Sequence, residues 1–203
     1  MSSKGRKVVE TDEFYPTPRD AIEPIIVTDL LRLPGGTWIE PCAGTGSIIR
    51  TVNDLRDDVS WIVCEINPRF DDHLRQLLRP TDTFLPYGDF VHRDWPYHRA
   101  DVMFFNPPFS LAMQFVQCGF ERAHWVVMLQ RKGWFGTGPR ADFLRKYCPD
   151  DYTLSKRPSF RADGQTDSTD YCWYVWPPGN RERRVGQLAL LDPPASSVQQ
   201  SLF

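Results

Sequence analysis

Three features that the sequence lacks exclude several classes of protein. No apolar run approaches the roughly 18 residues that a membrane-spanning helix needs. The polar residues 1–7 have no apolar segment behind them that would form a signal peptide. The five cysteines are widely spaced and never form a C-x-x-C pair, which argues against a disulfide framework and against a zinc site. We therefore expect a cytoplasmic protein without a bound metal.

The chain also lacks an excess of basic residues. Its 203 residues include 24 Lys and Arg against 26 Asp and Glu, which gives a formal net charge of -2. Proteins that bind nucleic acid through bulk charge are polycations, so any nucleic-acid contact here must use a local positive patch. The length and the 41% hydrophobic content fit one soluble domain with a filled core.

Short apolar runs alternate with amphipathic stretches along most of the chain, which is the pattern of a parallel β-sheet covered by helices on both faces. We predict strands near residues 37–40, 60–65, 83–85, 101–105, 125–129, 152–154 and 170–176, with helices at 17–33, 47–56, 69–78, 110–122 and 141–147. The fold class is therefore α/β, with a doubly wound, mostly parallel sheet. Residues 1–13 are predicted to be a mobile N-terminal segment, 14–177 the folded domain and 178–203 a flexible tail.

A glycine-rich turn follows the first predicted strand. Gly44 and Gly46 allow a ligand to approach the backbone at the start of a helix, which is typical of nucleotide-type cofactor sites. Ile49 stands where the dinucleotide fingerprint has its third glycine, so a nicotinamide oxidoreductase is the least supported alternative. Glu65, at the end of the second strand, stands where an acid can accept the hydroxyls of a ribose. Taken alone, a solvated strand-end carboxylate is the simpler interpretation of Glu65.

The fourth predicted strand ends in Asn106-Pro107-Pro108-Phe109. The two prolines fix the backbone and remove two N–H donors, so this turn presents carbonyl oxygens between an amide side chain and an aromatic ring. Such a cup can accept hydrogen bonds from a planar amine and stack on its ring, although a rigid turn that closes a strand is an equal alternative. In a doubly wound sheet the first and fourth strands flank the topological switch point, so the cup and the glycine turn are expected to share one crevice.

The order of these motifs resembles that of S-adenosylmethionine-dependent amino-methyltransferases, in particular the DNA N6-adenine methyltransferases of phages and prophages. The resemblance is carried by Phe14 to Pro18, Glu40 to Ser47, Glu65, Gly88 to Phe90 and Asn106 to Phe109, in the family's gamma arrangement. With the segment from Lys156 to Trp176 it extends over about residues 14–177. It implies a Rossmann-like class I methyltransferase fold, S-adenosylmethionine as cofactor, and methylation of an adenine flipped out of DNA in a bacterial or phage-infected cell.

The resemblance also implies a role for each site residue. The catalytic cup consists of Asn106, Pro107, Pro108 and Phe109, with Phe109 as the platform on which the base stacks. The implied cofactor residues are Tyr15, Thr17 and Pro18 over the methionine part, Glu40, Pro41, Cys42, Gly44 and Gly46 beneath it, Glu65 on the ribose, Ile66 on the adenine, and Asp89 with Phe90 at the amino edge and ring face. Asn106 stands where many DNA enzymes have Asp, and the same element serves enzymes that act on RNA or protein glutamine. Those substrates therefore stay open, as does an inactive cofactor-binding adaptor for DNA or the replisome.

Residues 121–160 supply the local positive patch. Eight Lys and Arg stand there against four Asp and Glu, which gives a charge of +4 for that stretch. The candidate DNA contacts are Lys132, Trp134, Lys156, Arg157 and Arg161, as phosphate ligands and, for the aromatic residue, as a base wedge. A solvated helix face is the alternative interpretation of this patch, and it is the simpler one for Arg145 and Lys146.

The last five residues, Gln199 to Phe203, resemble the short peptide by which DNA-processing proteins dock onto the bacterial sliding clamp. In that mode Leu202 and Phe203 would enter a preformed groove while Gln199 forms hydrogen bonds at its rim. A looser second match is Gln187 to Leu191. The equal alternative is a polar tail whose final two side chains fold back on the domain.

Overall fold

The computed structural model of the protein describes residues 16–86, 88–136, 138–160, 168–179 and 182–194. In this described part of the chain, eight strands form one sheet in the order β3-β2-β1-β4-β5-β7-β6-β8. The strands are β1 (Gly36–Glu40), β2 (Val59–Cys64), β3 (Thr83–Leu85), β4 (Ala100–Phe105), β5 (Ala123–Arg131), β6 (Asp150–Leu154), β7 (Tyr171–Trp176) and β8 (Leu188–Leu191). Strands β1 to β5 are parallel, and β7 runs antiparallel to both β5 and β6. The predicted doubly wound, mostly parallel sheet is therefore confirmed.

Within the described residues, five helices cover the two faces of this sheet. They are α1 (Arg19–Val27), α2 (Ser47–Leu55), α3 (Asp71–Leu77), α4 (Ala112–Arg122) and α5 (Gly138–Lys146), with short 3₁₀ turns at Pro68–Phe70 and Lys132–Phe135. Apolar side chains of α1, α2 and α3 belong to one core cluster, whereas those of α4 and α5 belong to the other. The central strands are apolar on both faces because each face is covered by helices.

Large aromatic side chains fill the core on the α1 side of the sheet. Trp38 of β1, Phe104 of β4 and Trp173 of β7 are fully buried, with ring centroids 5.6 and 4.3 Å apart between successive neighbours. The indole N–H of Trp173 donates to the backbone oxygen of Ala21 at 2.8 Å, which fixes α1 against the sheet. Aromatic packing and a satisfied polar atom thus hold α1 on this face of the sheet.

Helix α1 is shorter than its apolar spacing predicted. It ends at Val27, and Thr28 is already in an extended conformation, with its hydroxyl accepting a hydrogen bond from the Leu30 N–H at 3.2 Å. Leu31 and Leu33 are nevertheless buried, since they enter the core from the extended connection to β1. The prediction of helix as far as residue 33 is therefore wrong: burial at helix-like spacing does not require a helix.

A strand that sequence analysis did not predict lies within the segment from residue 178 onward. Strand β8 pairs in parallel with β6 at the edge of the sheet. Its Leu188 and Leu190 are 66% and 60% exposed, whereas Leu191 is buried. At least this part of the segment, including the looser clamp match, is therefore sheet rather than tail. A four-residue run among prolines and charges has too little pattern to be recognised as a strand.

Candidate functional site at the carboxyl ends of β1 and β4

The glycine turn and the Asn-Pro-Pro-Phe turn start side by side. Strands β1 and β4 are neighbours in parallel register, with Trp38 opposite Val102 and Ile39 opposite Met103. The Cys42 thiol donates to the backbone oxygen of Asn106 at 3.4 Å and thus connects the two turns. Both turns therefore border the crevice that forms where the strand order reverses.

The glycines of the first turn adopt left-handed backbone conformations. Gly44 has φ = 52° and Gly46 has φ = 70°, a region that side chains with a Cβ rarely occupy. Gly46 is also the N-cap of α2, and a Cβ there would lie 2.3 Å from a methyl carbon of Leu77. The turn thus directs the chain from β1 into α2 with the backbone close to the crevice, and the N-terminus of α2 lies at the crevice wall.

Glu65 is part of the structure of this turn. It is buried, and its Oε2 accepts the Gly44 N–H at 2.6 Å while its Oε1 accepts the Asn67 N–H at 2.8 Å. One carboxylate thus supports the loops that follow β1 and β2. The interpretation as a solvated strand-end group is therefore wrong. Each carboxylate oxygen has a second lone pair, so further hydrogen bonds to a ligand are available. The next residue, Ile66, is 57% exposed and presents an apolar side chain at the same edge.

Glu40 is a second carboxyl group beneath the turn. Its side chain is 1% exposed, and Oε2 has no hydrogen-bond partner in the described part of the chain. The pKa of Glu40 is raised well above its ordinary value, mainly because burial desolvates the carboxyl group and to a smaller extent because the charge of Glu65 is nearby. Desolvation also raises the pKa of the Cys42 thiol, so the group that donates to Asn106 stays protonated at neutral pH. Pro41, between these residues, is buried.

The loop that follows β3 exposes only one of the two side chains that were predicted to contact the cofactor. Asp89 is exposed, and its Oδ1 accepts the Val91 N–H at 3.1 Å. Phe90 is only 2% exposed, with its ring stacked 5.8 Å from that of Phe115. The prediction that Phe90 covers a ring face of the cofactor is therefore not compatible with this conformation, because the side chain belongs to the core.

Arg122, which sequence analysis missed, holds this loop in place. Its guanidinium is buried at the end of α4, donates to the backbone oxygen of Phe90, and donates to that of Arg93 at 2.9 Å. The same group lies 4.6 Å from the Phe90 ring centroid. A buried arginine needs several acceptors, and here backbone carbonyls supply them. Asp89 is therefore presented by a loop that Arg122 of the neighbouring helix fastens.

The Asn106 side chain is oriented by the segment that precedes α1. Its Nδ2 donates to Thr17 Oγ1 at 3.0 Å, across 89 residues of sequence, and Thr17 is 6% exposed. The amide oxygen of Asn106 is thereby turned toward the other side, as an acceptor. Pro107 is buried, and Pro18 lies directly before α1. Thr17, expected only to cover the cofactor, thus also positions the residue at the end of β4.

Phe109 is half-buried and packs against the core on the α1 side of the sheet. The guanidinium carbon of Arg131, the last residue of β5, lies over its ring, 4.3 Å from the centroid. Arg131 Nε donates to the Tyr171 hydroxyl at 3.4 Å, and the ring of Phe160 lies 4.8 Å from that of Tyr171. Sequence analysis missed Arg131 and Tyr171, although the position of Arg131 at the end of the strand beside β4 was a usable signal.

A surface cleft of about 440 Å³ opens next to these groups. It lies between the start of α1, one face of α2 and the loop after β6. Its lining residues are Pro16, Thr17, Pro18, Arg19, Ser47, Arg50, Thr51, Asp54, Ser159 and Phe160. Thr17 thus both lines the cleft and accepts the hydrogen bond from Asn106.

The candidate DNA contacts are placed differently from one another. Lys156 is exposed, and Arg157 is exposed and paired with Asp170 at 2.8 Å. Lys132 is half-buried and donates to Thr153 Oγ1 at 2.7 Å. Trp134 is 3% exposed. The prediction of Trp134 as a base wedge is therefore wrong in this conformation, since its ring packs in the core beside Tyr174.

Several predicted site residues lie outside the described residues. These are Tyr15 of the cofactor set, Arg161 of the DNA set, and Gln199, Leu202 and Phe203 of the clamp peptide. Among the residues that are described, no group of three or more His, Cys, Asp or Glu side chains could hold a metal ion. In the same residues no helix is long and apolar enough to cross a membrane.

Known proteins resemble this chain in their three-dimensional structure, with at most 19% sequence identity among those described below. No family model matches the sequence, and no curated protein matches it. Among solved structures, PH1948 from Pyrococcus horikoshii, named as a putative RNA methyltransferase, is 19% identical with a TM-score of 0.63 over 85% of this chain and 89% of its own. The 23S rRNA methyltransferase ErmE is 18% identical with a TM-score of 0.56 over 91% of this chain and 73% of its own.

A third similar structure is a protein from Listeria monocytogenes that is named as a putative class I S-adenosylmethionine-dependent methyltransferase. It is 14% identical, with a TM-score of 0.56 over 85% of this chain and 62% of its own. In this chain, β7 lies antiparallel between β5 and β6, a glycine turn follows β1, and an acid follows β2. The chain has the fold of the class I S-adenosylmethionine-dependent methyltransferases.

Proposed function

We propose that the protein transfers a methyl group from S-adenosylmethionine to the exocyclic N6 amine of adenine in DNA. The observation that carries this proposal is the position of Asn106-Pro107-Pro108-Phe109 at the end of β4, beside the glycine turn at the end of β1. An acceptor cup for an amine and a backbone cradle for a cofactor thus share one crevice. The resemblance in motif order to DNA N6-adenine methyltransferases supports the same substrate.

The residues around the glycine turn fit S-adenosylmethionine. The buried Glu40 Oε2 is an acceptor without a partner in the described structure, and the ammonium of the methionine part is a donor that would satisfy it. Gly44 and Gly46 leave room at the backbone, Glu65 retains lone pairs for ribose hydroxyls, and the exposed Ile66 side chain offers an apolar surface to the adenine ring. When bound, the cofactor supplies a methyl group on a positively charged sulfur.

The cup activates the target nitrogen by orienting it. The lone pair of an exocyclic amine is delocalised into the ring, so the nitrogen is a weak nucleophile. Hydrogen bonds from its two N–H groups to the Asn106 side-chain oxygen and the Pro107 backbone oxygen favour a pyramidal nitrogen with its lone pair available for attack. Since Thr17 fixes the amide with its oxygen free to accept, the arrangement is present before the substrate binds.

Adenine in a duplex cannot reach this cup within the base stack. The base is therefore flipped out of the helix, and Phe109 is the ring on which it stacks. The exposed Lys156 and Arg157 are the described residues that we assign to backbone phosphates, together with the half-buried Lys132 and, outside the described residues, Arg161. Trp134 is excluded from this set because it is buried.

The test of substrate class is a methylation assay in cells. The protein and its Asn106→Ala variant are expressed in a bacterial strain that lacks adenine methylation. The genome is then sequenced with modification-sensitive reads, and nucleosides from DNA and from RNA are quantified by mass spectrometry. We expect N6-methyladenine in DNA, in one short sequence motif, only with the unchanged protein. Unmethylated DNA in cells that contain folded protein would refute the proposal.

A calorimetric experiment tests the division between cofactor site and target site. Asn106→Ala should abolish methyl transfer and leave S-adenosylmethionine affinity within about tenfold, because Asn106 contacts the amine and not the cofactor. Gly44→Val should instead weaken cofactor binding, because a β-branched residue is strained at φ = 52° and fills the space beside the backbone. Equal losses of cofactor affinity in both variants would contradict the assigned roles.

RNA is the second candidate substrate. It is favoured by the names of the similar structures, which include an rRNA methyltransferase and a dimethyladenosine transferase from Plasmodium falciparum. The mass-spectrometric arm of the cell experiment separates the two: methyladenine that rises in ribosomal RNA and not in DNA would establish RNA as the substrate. The catalytic roles of Asn106 and Phe109 would be unchanged in that case.

A further inference from the structure

An exposed leucine stands directly after the Asn-Pro-Pro-Phe turn. Proteins that unstack bases in a duplex commonly insert an apolar side chain into the base step, and such a side chain must be exposed and rigidly mounted. Trp134 is buried and is not available for this role. Leu111 is 38% exposed and follows Phe109 by two residues, so it is an apolar group beside the cup that receives the base.

The position of Leu111 is distinctive among the exposed apolar side chains. Eight large ones are exposed in the described part of the chain, and Leu111 is the one of these that adjoins the cup. The other seven are Val27 and Leu30 at the end of α1, Ile66 after β2, Tyr97 before β4, and Val185, Leu188 and Leu190 in and before β8. Leu111 is not a member of either core cluster of the described residues, so packing in the interior does not account for it.

The backbone at Leu111 is held on both sides. Its N–H donates to the Pro108 oxygen at 2.9 Å, which closes a turn around Phe109, and its own oxygen accepts the N–H of the buried Phe115 at 3.2 Å. Its φ of -107° and ψ of -3° are right-handed helical values. Side chains at the start of a helix lean toward the helix N-terminus. Since α4 begins at the carboxyl edge of the sheet, the Leu111 side chain leans toward the Phe109 turn and the mouth of the crevice.

We propose that Leu111 is the wedge that enters the DNA duplex beside the target adenine while Phe109 receives the flipped base. The inference rests on the proposed function, because it takes the cup as the place where the base is bound. Both side chains belong to one hydrogen-bonded segment, so the group that opens the duplex is held at a fixed separation from the ring that receives the base. The leucine buries apolar surface between bases and loses no hydrogen bond when it leaves water.

A wedge contributes only where the target base is held by its partner strand. Leu111→Ala should therefore lower kcat/KM by about tenfold on a fully paired duplex, since the free-energy cost of extruding the base is no longer offset. Where the adenine faces an abasic site, pairing is absent and the loss should be at most about twofold. The affinity for S-adenosylmethionine should not change, and the melting temperature should stay within about 2 °C, as for other surface substitutions.

The experiment uses the full chain and two duplex oligonucleotides that carry the methylated motif identified by the cell experiment. In one duplex the target adenine faces thymine, and in the other it faces an abasic site. Transfer of labelled methyl groups gives kcat/KM for the unchanged protein and for Leu111→Ala, Leu111→Gln and Leu111→Met. Leu188→Ala is the matched control, because Leu188 is a 66% exposed leucine on β8, four strands from β4. Calorimetry gives the cofactor affinity of each variant.

We expect Leu111→Ala and Leu111→Gln to lose activity on the paired duplex alone, and Leu111→Met and Leu188→Ala to behave like the unchanged protein. Equal losses on both duplexes, or weaker cofactor binding, would overturn the inference and make Leu111 part of the cup or of the cofactor site. Unchanged rates in both polar and truncated variants would overturn it as well. If the unchanged protein methylates neither duplex, the proposed function itself fails, and the wedge inference fails with it.

Discussion

The hydrogen bond between Thr17 and Asn106 gives the most direct test of how the cup is organised. Thr17→Val replaces the hydroxyl by a methyl group of nearly the same volume, so the packing of a residue that is 6% exposed is kept. The Asn106 Nδ2 then loses an acceptor that lies 3.0 Å away. Loss of one such bond costs about 1 kcal/mol, and each 1.36 kcal/mol in the barrier is a tenfold change in rate. We expect kcat to fall about five- to tenfold.

The assay is single-turnover methyl transfer with the DNA substrate, together with the dissociation constant of S-adenosylmethionine for each variant. Thr17→Ser is the control, because it keeps the hydroxyl and should retain most of the rate. If the serine variant loses as much as the valine variant, packing and not the hydrogen bond is responsible. If the valine variant mainly weakens cofactor binding, Thr17 acts on the cofactor, as the family resemblance alone implies, and the positioning role is refuted.

Three further predictions concern the stacking ring, the buried carboxyl group and the C-terminus. Phe109→Tyr or Trp should retain methyl transfer and Phe109→Ala should lose most of it, since base stacking contributes about 1–3 kcal/mol; equal rates for the Ala and Tyr variants would contradict a stacked base. Because the folded-state pKa of Glu40 is raised, its contribution to stability is present at pH below the unfolded-state value and is lost as the pH rises toward the folded-state value. The melting temperature of cofactor-free Glu40→Gln, minus that of the unchanged protein, should therefore increase as the pH rises from about 5 to 8. A difference that stays constant over this range would contradict the prediction. A surface-binding assay should show that the full chain binds purified bacterial sliding clamp and that a chain ending at Ser197 does not. Equal binding of the two chains, or no binding by either at tens of micromolar, would refute the clamp hypothesis.

The central strands of the fold were predictable because of where they lie. β1, β2, β4 and β5 are buried on both faces, and buried strands appear in the sequence as short continuous apolar runs. Strand β8 was missed because it is only four residues long and lies among prolines and charges, so its short apolar run could not be distinguished from a tail. The end of α1 was missed for a different reason: Leu31 and Leu33 are buried at helix-like intervals from an extended backbone.

The parts of the site that depend on backbone conformation could be predicted from the sequence. Gly44, Gly46 and the two prolines after Asn106 have chemistry that only particular turns need, so their positions could be inferred from sequence. The aromatic residues could not be sorted in this way. Phe90 and Trp134 are buried, whereas Phe109 is partly open, and the difference depends on tertiary packing that residue type does not specify. The stacking of Arg131 on Phe109 likewise depends on the neighbouring ends of two strands.

Glu65 gives the crevice a thermodynamic property that follows from its two backbone hydrogen bonds. Because its carboxylate accepts from the Gly44 and Asn67 N–H groups, contacts within the protein itself restrain the loops after β1 and β2. Ordering a loop upon binding consumes conformational entropy, at roughly 1–2 kcal/mol for each residue fixed. A ligand that enters a crevice shaped in advance avoids that loss, so more of its contact energy is retained as affinity. A single side chain, folded into the domain with the rest of the core, thus transfers part of the entropic cost of recognition from the binding step to the folding step.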